Sequence, residues 1–346
     1  MNTRSLGRSS ITLPVLGFGC TGLGNLYQTQ REVVAMAAVE AAYAAGIGYF
    51  DVAPLYGFGL AEHRLGAALR LLPGRPVLST KAGWRLLPRG SRETSGSVSG
   101  GLFPGAAPFR AQLDYSYDGV MRSFEDSLQR LGTDRVDILL LHDCDRRNHG
   151  AAYPERFAEA MGGAYRALES LRAQGAVRAI GAGLNEWEAC EDFARAGEFD
   201  CFLLAGRYTL LDQGALDSFL PLCTARGIGV VLGGPYNSGI LATGATAGAL
   251  YDYAPAAPAI LERTRQIEAV CARHGVPLRA AALQFPLSHP AITSVIPGAR
   301  DPAEVRQNVQ LMTTPIPPAF WAEVVETGLM EAGLMESETL RRAARP

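Results

Sequence analysis

The feature that most constrains the fold is a regular alternation of short apolar segments with longer helical patterns. Apolar runs of five to seven residues are typical of buried parallel strands, and apolar residues spaced by three or four are typical of covering helices. The strand candidates are 15–19, 48–52, 76–81, 136–142, 177–183, 200–204, 228–232 and 292–296. The helical patterns cover 31–45, 61–71, 117–131, 154–174, 186–196, 215–226 and 261–288. Eight strands separated by helices predict an α/β fold, a (β/α)8 TIM barrel that spans 1–346 as a single domain.

A doubly wound open sheet is the alternative architecture. Its dinucleotide-binding form carries G-x-G-x-x-G directly after the first strand, at the start of a helix. Gly17, Gly19 and Gly22 have this spacing, but a loop-like stretch at 23–27 follows them. The glycine pattern is therefore weak evidence for the open sheet, and the barrel is the stronger prediction.

Two connections are much longer than the others. The first covers 82–116 and is rich in glycine, serine and proline, and the second covers 236–259. Connections of this length in a compact domain are usually lids or binding loops, or else disordered. Both follow predicted strands, so we expect lid-like loops over the mouth at the C-terminal ends of the barrel strands.

Composition excludes several classes of function. A net charge of −2 leaves no basic surface for nucleic acid or an anionic membrane, and no apolar run approaches the ~20 residues of a membrane span. The first ten residues lack the apolar stretch of a signal peptide. The six cysteines are scattered without a C-x-x-C pair, which favours free thiols over disulfides or a metal site. We therefore expect a cytoplasmic protein that binds no metal and acts on a small molecule.

Four polar side chains stand at or just after the ends of predicted strands: Asp51, Tyr56, Lys81 and His142. The C-terminal strand ends of a barrel converge, so these residues are expected to meet at its mouth. A phenol has a reference pKa of about 10, but a neighbouring ammonium lowers that pKa, and a carboxylate fixes the ammonium. An imidazole can orient the reacting oxygen. Such a set moves protons but accepts no hydride, so redox chemistry requires a nicotinamide.

With these residues in these contexts, the chain resembles the aldo-keto reductases from Gly17 to Asn308. The motifs that carry the resemblance are Phe50-Asp51-x4-Tyr56-Gly57, Ser79-Thr80-Lys81, Ser127-Leu128-Gln129-Arg130-Leu131-Gly132-Thr133-Asp134 leading to Leu141-His142, and Ile296-Pro297-Gly298 leading to Gln307-Asn308. The resemblance implies the same barrel, with Asp51, Tyr56, Lys81 and His142 as the catalytic tetrad. A non-catalytic subunit built on this barrel is the alternative from another class, and the intact tetrad argues against it.

The resemblance also implies which residues contact a nicotinamide cofactor and the substrate. The implied cofactor contacts are Thr21, Asn185, Pro235, Asn237, Gly239, Gly298, Arg300, Glu304 and Asn308, and the implied substrate contacts are Trp84 and Asn25. The chain departs from the usual pattern at two places. Ala205 stands where the family often has glutamine, and Gly233 stands where a tyrosine usually stacks on the nicotinamide. Asn185 replaces the usual asparagine with a shift of one residue.

The segment after the last strand favours NAD over NADP. NADP-dependent relatives typically carry Lys-Ser and then Arg where this chain has Gly298, Ala299 and Glu304. A 2′-phosphate would lose two cations and meet a carboxylate there, whereas a ribose hydroxyl would gain an acceptor. Arg300 can still reach a phosphate, so NADP stays the alternative.

The substrate class follows from a narrower resemblance. The loop 82–116 and the stretches 185–188 and 233–239 resemble a subgroup of aldose dehydrogenases that act on L-fucose, D-arabinose or L-galactose, with relatives that oxidise pyridoxal. In each case a cyclic hemiacetal gives a lactone. The resemblance therefore implies oxidation of a neutral sugar at C1 or of pyridoxal, with NADPH-dependent aldehyde reduction as the alternative. The sequence does not decide between these substrates or fix the oligomeric state.

Overall fold

A computed structural model describes residues 1–89 and 101–331 and contains a closed barrel of eight parallel strands. Each strand pairs with the next one in the chain, and parallel bridges from Leu16 to Val295 and from Gly19 to Gly298 close the sheet. The strands are β1 Phe18–Gly19, β2 Tyr49–Asp51, β3 Val77–Ala82, β4 Ile138–His142, β5 Ala179–Leu184, β6 Cys201–Ala205, β7 Gly229–Gly233 and β8 Ile292–Ile296. The predicted barrel is confirmed, and the open sheet is wrong.

Helices cover the outside of the barrel. The α-helices are Glu32–Ala44, Leu60–Leu69, Tyr117–Leu131, Arg146–His149, Tyr153–Glu159, Tyr165–Ala173, Trp187–Ala196, Phe219–Arg226, Ile240–Thr243, Pro258–His274, Leu278–Gln284, Pro302–Thr313 and Pro318–Glu326. There is also a π-helix at Ala160–Ala164. The 3-10 helices are Cys20–Gly24, Gly150–Ala152, Gly214–Leu216, Asn237–Gly239 and Phe285–Ser288. Among the described residues, no helix is both long enough and apolar enough to cross a bilayer.

Local chemistry sets where several helices begin and end. Ser116 Oγ accepts a hydrogen bond from the Gly119 N–H at 3.0 Å, and Gly132 ends that helix with a φ of 63°. The single helix predicted over 261–288 is divided in the structure. Gly275 takes a φ of 64° at the end of its first part, and Pro277 precedes the second part. Proline has no N–H to continue a helix, which explains the division.

A hairpin of two short antiparallel strands, Thr3–Ser5 and Thr12–Pro14, closes the end of the barrel opposite the mouth. Three buried residues around it, Leu6, Ile11 and Leu13, share one apolar cluster with inward-facing strand residues. The barrel members of that cluster are Tyr49, Ile138, Leu140, Ala179, Cys201, Leu203, Val231 and Ile296. This floor leaves the C-terminal strand ends as the open face of the barrel.

Both long connections contain secondary structure instead of running as plain loops. Strands Trp84–Pro88 and Phe109–Leu113 form an antiparallel hairpin directly after β3, and 90–100 of the predicted loop lie outside the described residues. The second connection contains the helix Ile240–Thr243 and a small hairpin, Leu250–Tyr251 with Ala254–Pro255. These hairpins pair within the connections themselves, so neither extends the barrel sheet.

Candidate active site

Three of the four predicted tetrad side chains form one hydrogen-bonded group at the barrel mouth. Lys81 Nζ donates to Asp51 Oδ2 at 2.7 Å, to the Val52 carbonyl at 3.0 Å and to the Tyr56 hydroxyl at 3.1 Å. An ammonium has three N–H donors, so these contacts use all of them. The phenolic oxygen accepts from Lys81, so its own proton points away from Nζ, and the hydroxyl also makes a side-chain hydrogen bond with Thr21.

Two hydroxyl groups in the barrel interior fix the position of Asp51. Ser79 Oγ donates to Asp51 Oδ1 at 2.7 Å, and the Tyr49 hydroxyl lies 2.9 Å from Ser79 Oγ. Tyr49 and Asp51 are both on β2 and point to the barrel interior, because residues two apart in a strand share a face. The barrel interior therefore orients Asp51, and Asp51 in turn orients Lys81.

The pKa of Tyr56 is higher than expected from the sequence. Burial raises the pKa of the phenol more than the adjacent Lys81 ammonium lowers it, so the net shift is upward. Burial alone would lower the pKa of Lys81, but the charges of Asp51 and Tyr56 outweigh it and raise that pKa. Lys81 is thus a permanent cation, and Tyr56 holds its proton at neutral pH in this state of the protein.

His142 stands at the end of β4 beside Tyr56, with the two rings edge to face and their centroids 6.0 Å apart. Burial first, and then the charge of Lys81, lowers the pKa of the imidazole well below its usual value. The ring is therefore neutral, with one N–H donor. Its Nδ1 is buried and has no hydrogen-bond partner among the described residues. The other ring nitrogen, Nε2, lies 3.6 Å from Asp143 Oδ1.

A second buried network braces the strand that carries Lys81. Thr80 donates to Glu62 Oε1 at 2.7 Å, and Arg130 Nε donates to Glu62 Oε2 at 2.6 Å. The Glu62 side chain is fully buried, so its charge needs this partner. Arg130 belongs to a motif that carried the family resemblance, and the structure gives it this supporting contact behind the site.

A cavity of about 410 Å³ extends from Asp51 and Tyr56 along the mouth towards β8. Of the predicted cofactor contacts, its lining includes Thr21, Pro235, Asn237, Gly239, Gly298, Arg300, Glu304 and Asn308. Asn185 does not line it. The Asn185 N–H donates to Asp145 at 3.0 Å, and its carbonyl accepts from Arg207 at 2.9 Å, so its main chain serves the scaffold. The role of Asn185 as a cofactor contact stays a prediction.

The cavity lining fits a nicotinamide dinucleotide. Seven lining residues are glycines, and a Cβ built at Gly239 or Gly298 would enter open space with no atom nearer than 3.8 Å. Such positions let a ligand approach the backbone closely. Asn237 donates to the Gly206 carbonyl at 2.9 Å, while its buried Oδ1 has no partner among the described residues. Gly233 and Ala205, which replace larger residues of the usual pattern, also line the space.

At the β8 end of the cavity, Glu304 is already engaged. Its carboxylate accepts from the Arg300 N–H at 2.8 Å, and its Oε1 lies 2.5 Å from Arg300 Nη2. Both side chains are partly exposed. The pair carries no net charge, so a ligand meets neither a free cation nor a free carboxylate there. Nearby, Tyr236 donates to Asn308 Oδ1 at 2.9 Å, which holds Asn308 against the cavity.

The two predicted substrate contacts have structural partners. The amide of Asn25 donates to the Pro104 carbonyl at 3.1 Å and accepts from Arg64 at 2.8 Å, so its polar atoms tie the first loop to the long connection. Asn25 does not line the cavity. Trp84 Nε1 donates to Asp143 Oδ2 at 3.2 Å, beside His142.

Several residues at the mouth were missed from the sequence. Arg279 lines the cavity and donates to Gln307 at 2.6 Å. Asp252 and Tyr253 also line it, and Asp252 accepts from both Arg147 and Arg207. These contacts join segments far apart in the chain. No local pattern signalled them.

Comparison with known proteins agrees with this geometry. The Aldo/keto reductase family profile matches residues 15–328. The chain is 42% identical over 341 residues to pyridoxal 4-dehydrogenase of Microbacterium luteolum, covering 94% of this chain and 97% of that one. It is 38% identical over 324 residues to D-threo-aldose 1-dehydrogenase of a Pseudomonas species, covering 93% and 96%. A solved aldo-keto reductase from Bacillus halodurans, in its holo form, superposes with a TM-score of 0.72 at 24% identity, covering 100% and 97%.

The chain is therefore an oxidoreductase with a TIM-barrel fold. It belongs to the aldo-keto reductase family, whose members use nicotinamide cofactors.

Proposed function

We propose that this enzyme oxidises a neutral cyclic hemiacetal to a lactone with NAD⁺, the substrate being an aldose such as L-fucose, D-arabinose or L-galactose oxidised at C1. The observation that carries the proposal is the placement of Tyr56 beside Lys81, which makes a proton-exchanging phenol next to a permanent cation. Similarity to an aldose dehydrogenase and a pyridoxal dehydrogenase supports the substrate class. Pyridoxal is the second candidate substrate.

In the oxidation, Tyr56 takes the proton of the hemiacetal hydroxyl as the C–H bond breaks. The nicotinamide, when bound, accepts the hydride. Before it acts as a base the phenol must release its own proton to solvent, and the phenolate oxygen then lies 3.1 Å from Lys81 Nζ. Neutral His142 orients the reacting oxygen by a hydrogen bond from Nε2. In the reverse direction the same phenol gives its proton back.

Charge at the mouth supports a neutral substrate. Arg147 lies in the short helix Arg146–His149 after β4, and Arg207 lies on the loop after β6; both are paired with Asp252, at 2.5 and 2.8 Å. These cations are therefore largely neutralised by one carboxylate and by neighbouring acids such as Asp212, 3.4 Å from Arg207. A phosphate or carboxylate on the substrate would find little uncompensated positive charge here.

Charge at the β8 end supports NAD. Gly298 offers no side-chain donor, and Arg300 is held by Glu304. A 2′-phosphate of NADP would have to separate this pair, whereas a ribose hydroxyl can donate to Glu304 without doing so. Arg279 is the other cation that lines the cavity, and its hydrogen-bond partner among the described residues is the neutral Gln307. Its charge favours a phosphate and so works against the preference for NAD.

The test is absorbance of reduced nicotinamide with NAD⁺ or NADP⁺ against a panel of L-fucose, D-arabinose, L-galactose and pyridoxal. We expect turnover with NAD⁺ and at least one aldose, and none with Tyr56→Phe. Turnover of pyridoxal alone would replace the aldose by the second candidate. If only NADPH-dependent reduction of simple aldehydes is seen, the proposal is wrong and the enzyme is an aldehyde reductase.

A further inference from the structure

Asp143 is a buried carboxyl group that the tetrad does not use, although it stands directly after His142. It is 8% exposed and has a φ of 58°. Residues other than glycine rarely adopt this left-handed conformation, and those that do concentrate at functional sites. The neighbouring structure must therefore hold Asp143 in place.

Two contacts fix the direction of this carboxyl group. The Asp143 N–H donates to the Gly183 carbonyl on β5 at 3.1 Å, and Asp143 Oδ2 accepts from Trp84 Nε1 at 3.2 Å. The other oxygen, Oδ1, makes no hydrogen bond among the described residues, and the side chain keeps a small exposed surface. One oxygen is thus anchored, and the other is left as a free acceptor.

The free oxygen lies next to the reacting position. Asp143 Oδ1 is 3.6 Å from His142 Nε2, too far for a hydrogen bond between them. Since Nδ1 of His142 is closed off, Nε2 is the atom that meets the reacting oxygen of a substrate. A group attached beside the reacting carbon therefore comes within reach of Asp143 Oδ1.

We propose that Asp143 selects substrates with a hydroxyl group on the carbon next to the reacting carbon, by accepting a hydrogen bond from that hydroxyl at Oδ1. Burial first, and then the charge of Asp145, raises the pKa of this carboxyl group to about 7, so the ionised form prevails above neutral pH. In that form it only accepts, and a substrate without this hydroxyl leaves a buried charge unpaired. A site built to hydrogen-bond a substrate hydroxyl rejects the substrate analogue that lacks it, so Asp143 alone can determine this selectivity. The inference rests on the proposed function only for the placement of the reacting oxygen between Tyr56 and His142.

The experiment compares 2-hydroxypropanal with propanal as substrates for reduction by the cofactor-loaded enzyme. The two aldehydes differ only in the neighbouring hydroxyl. In Asp143→Asn the amide oxygen can still accept from Trp84, while the amide nitrogen replaces the free acceptor by a donor. Asparagine also tolerates the left-handed backbone. The exposed Asp217→Asn is the matched control.

We expect the wild type to prefer 2-hydroxypropanal in kcat/KM. The ratio of the two kcat/KM values should fall roughly five- to tenfold in Asp143→Asn, because the substrate hydroxyl can accept from the amide N–H and a neutral hydrogen bond then replaces one to a charged group. Asp217→Asn keeps the wild-type ratio. Should Asp143→Asn fold poorly by circular dichroism, Trp84→Phe serves instead. Without the hydrogen bond from Trp84 Nε1 the carboxyl group of Asp143 is no longer held in one orientation. The ratio of the two kcat/KM values should therefore fall, by a smaller factor.

Equal losses for both aldehydes would show that Asp143 only orients His142, and would overturn the proposal. So would a wild type without any preference. The outcome for the proposed function is separate. If the enzyme oxidises no aldose and no pyridoxal, yet shows an Asp143-dependent preference for the hydroxylated aldehyde, the proposed function fails and the selectivity role stands.

Discussion

Two ion pairs line or adjoin the same cavity in very different surroundings. The Lys81–Asp51 side chains are 1% and 3% exposed, whereas those of Arg300 and Glu304 are 48% and 31% exposed. Water screens the second pair and not the first, so similar distances correspond to different energies. The buried pair fixes a geometry that must not change during proton transfer. The exposed pair can open, which suits a contact that admits or rejects a ligand group.

The largest effect should come from removing the proton carrier while leaving the buried pair intact. Tyr56→Phe deletes the hydroxyl but keeps the contact between Lys81 and Asp51. Loss of a general acid–base group lowers turnover by roughly 10²–10⁴-fold. Cofactor affinity, measured by fluorescence titration, should stay near the wild-type value. Wild-type turnover in the variant would remove Tyr56 from the mechanism.

Breaking each pair in turn tests the contrast directly. Lys81→Met leaves Asp51 as an uncompensated buried charge, which costs about 3–5 kcal/mol in the free energy of unfolding. Arg300→Met at the exposed pair should cost about 0–1 kcal/mol. Urea unfolding of both variants gives the comparison. Equal losses would show that burial does not separate the two pairs.

The same Lys81→Met variant makes a pH prediction. Lys81 lowers the pKa of Tyr56 against the effect of burial, so its removal raises that pKa further. Oxidation needs the deprotonated phenol, so residual oxidation should shift to higher pH than in the wild type. A pH–rate profile of an active variant that matches the wild type would show that Lys81 does not tune Tyr56.

Reversing the charge at the exposed pair should change cofactor choice by a smaller factor. Glu304→Arg with Gly298→Lys provides two cations, and a Cβ at Gly298 meets no atom nearer than 3.8 Å. Hydrogen bonds to charged groups contribute about 1.5–3 kcal/mol, so the ratio of kcat/KM for NADP⁺ over NAD⁺ should rise roughly ten- to a hundredfold. Gly298→Ala is the neutral control. An unchanged ratio in the double variant would mean that Arg279 or another group sets the preference.

The sequence predicted the buried pair of Lys81 and Asp51 but not the exposed pair of Arg300 and Glu304. All eight strands and the meeting of Asp51, Tyr56 and Lys81 were predicted, because parallel strands in a closed barrel bring their C-terminal ends together. The roles of these residues stay predictions. The pairing of Glu304 with Arg300 follows from a spacing of four along the chain, yet it was missed because the prediction treated Glu304 as a free acceptor.

Long-range contacts made the rest unpredictable. The floor hairpin has strands of three residues, too short for a periodic signal. Asn25 was assigned to the substrate, but its partners Pro104 and Arg64 are known only once the chain is folded. Asp143 was adjacent to a predicted tetrad residue at a strand end, and that position was the available signal for it.

The smallest expected effect concerns the hairpin Leu250–Tyr251 with Ala254–Pro255, which Asp252 ties to Arg147 and Arg207 across the mouth. Burial would raise the pKa of Asp252, but hydrogen bonds from both arginines lower it, so the tie persists in mild acid. Asp252→Asn keeps a residue that tolerates the φ of 53° at this turn and removes only the charge. Partly exposed pairs contribute about 0.2–1 kcal/mol each and this variant removes two, so cofactor release in stopped flow should speed up by roughly two- to thirtyfold. Added salt should speed release from the wild type more than from the variant, because it screens the pairs that the variant has lost.

Asp134→Asn is the control for this prediction: it removes an exposed pair with Arg75 away from the cavity and should leave cofactor release unchanged. If both variants release cofactor alike, the tie across the mouth does not hold the ligand.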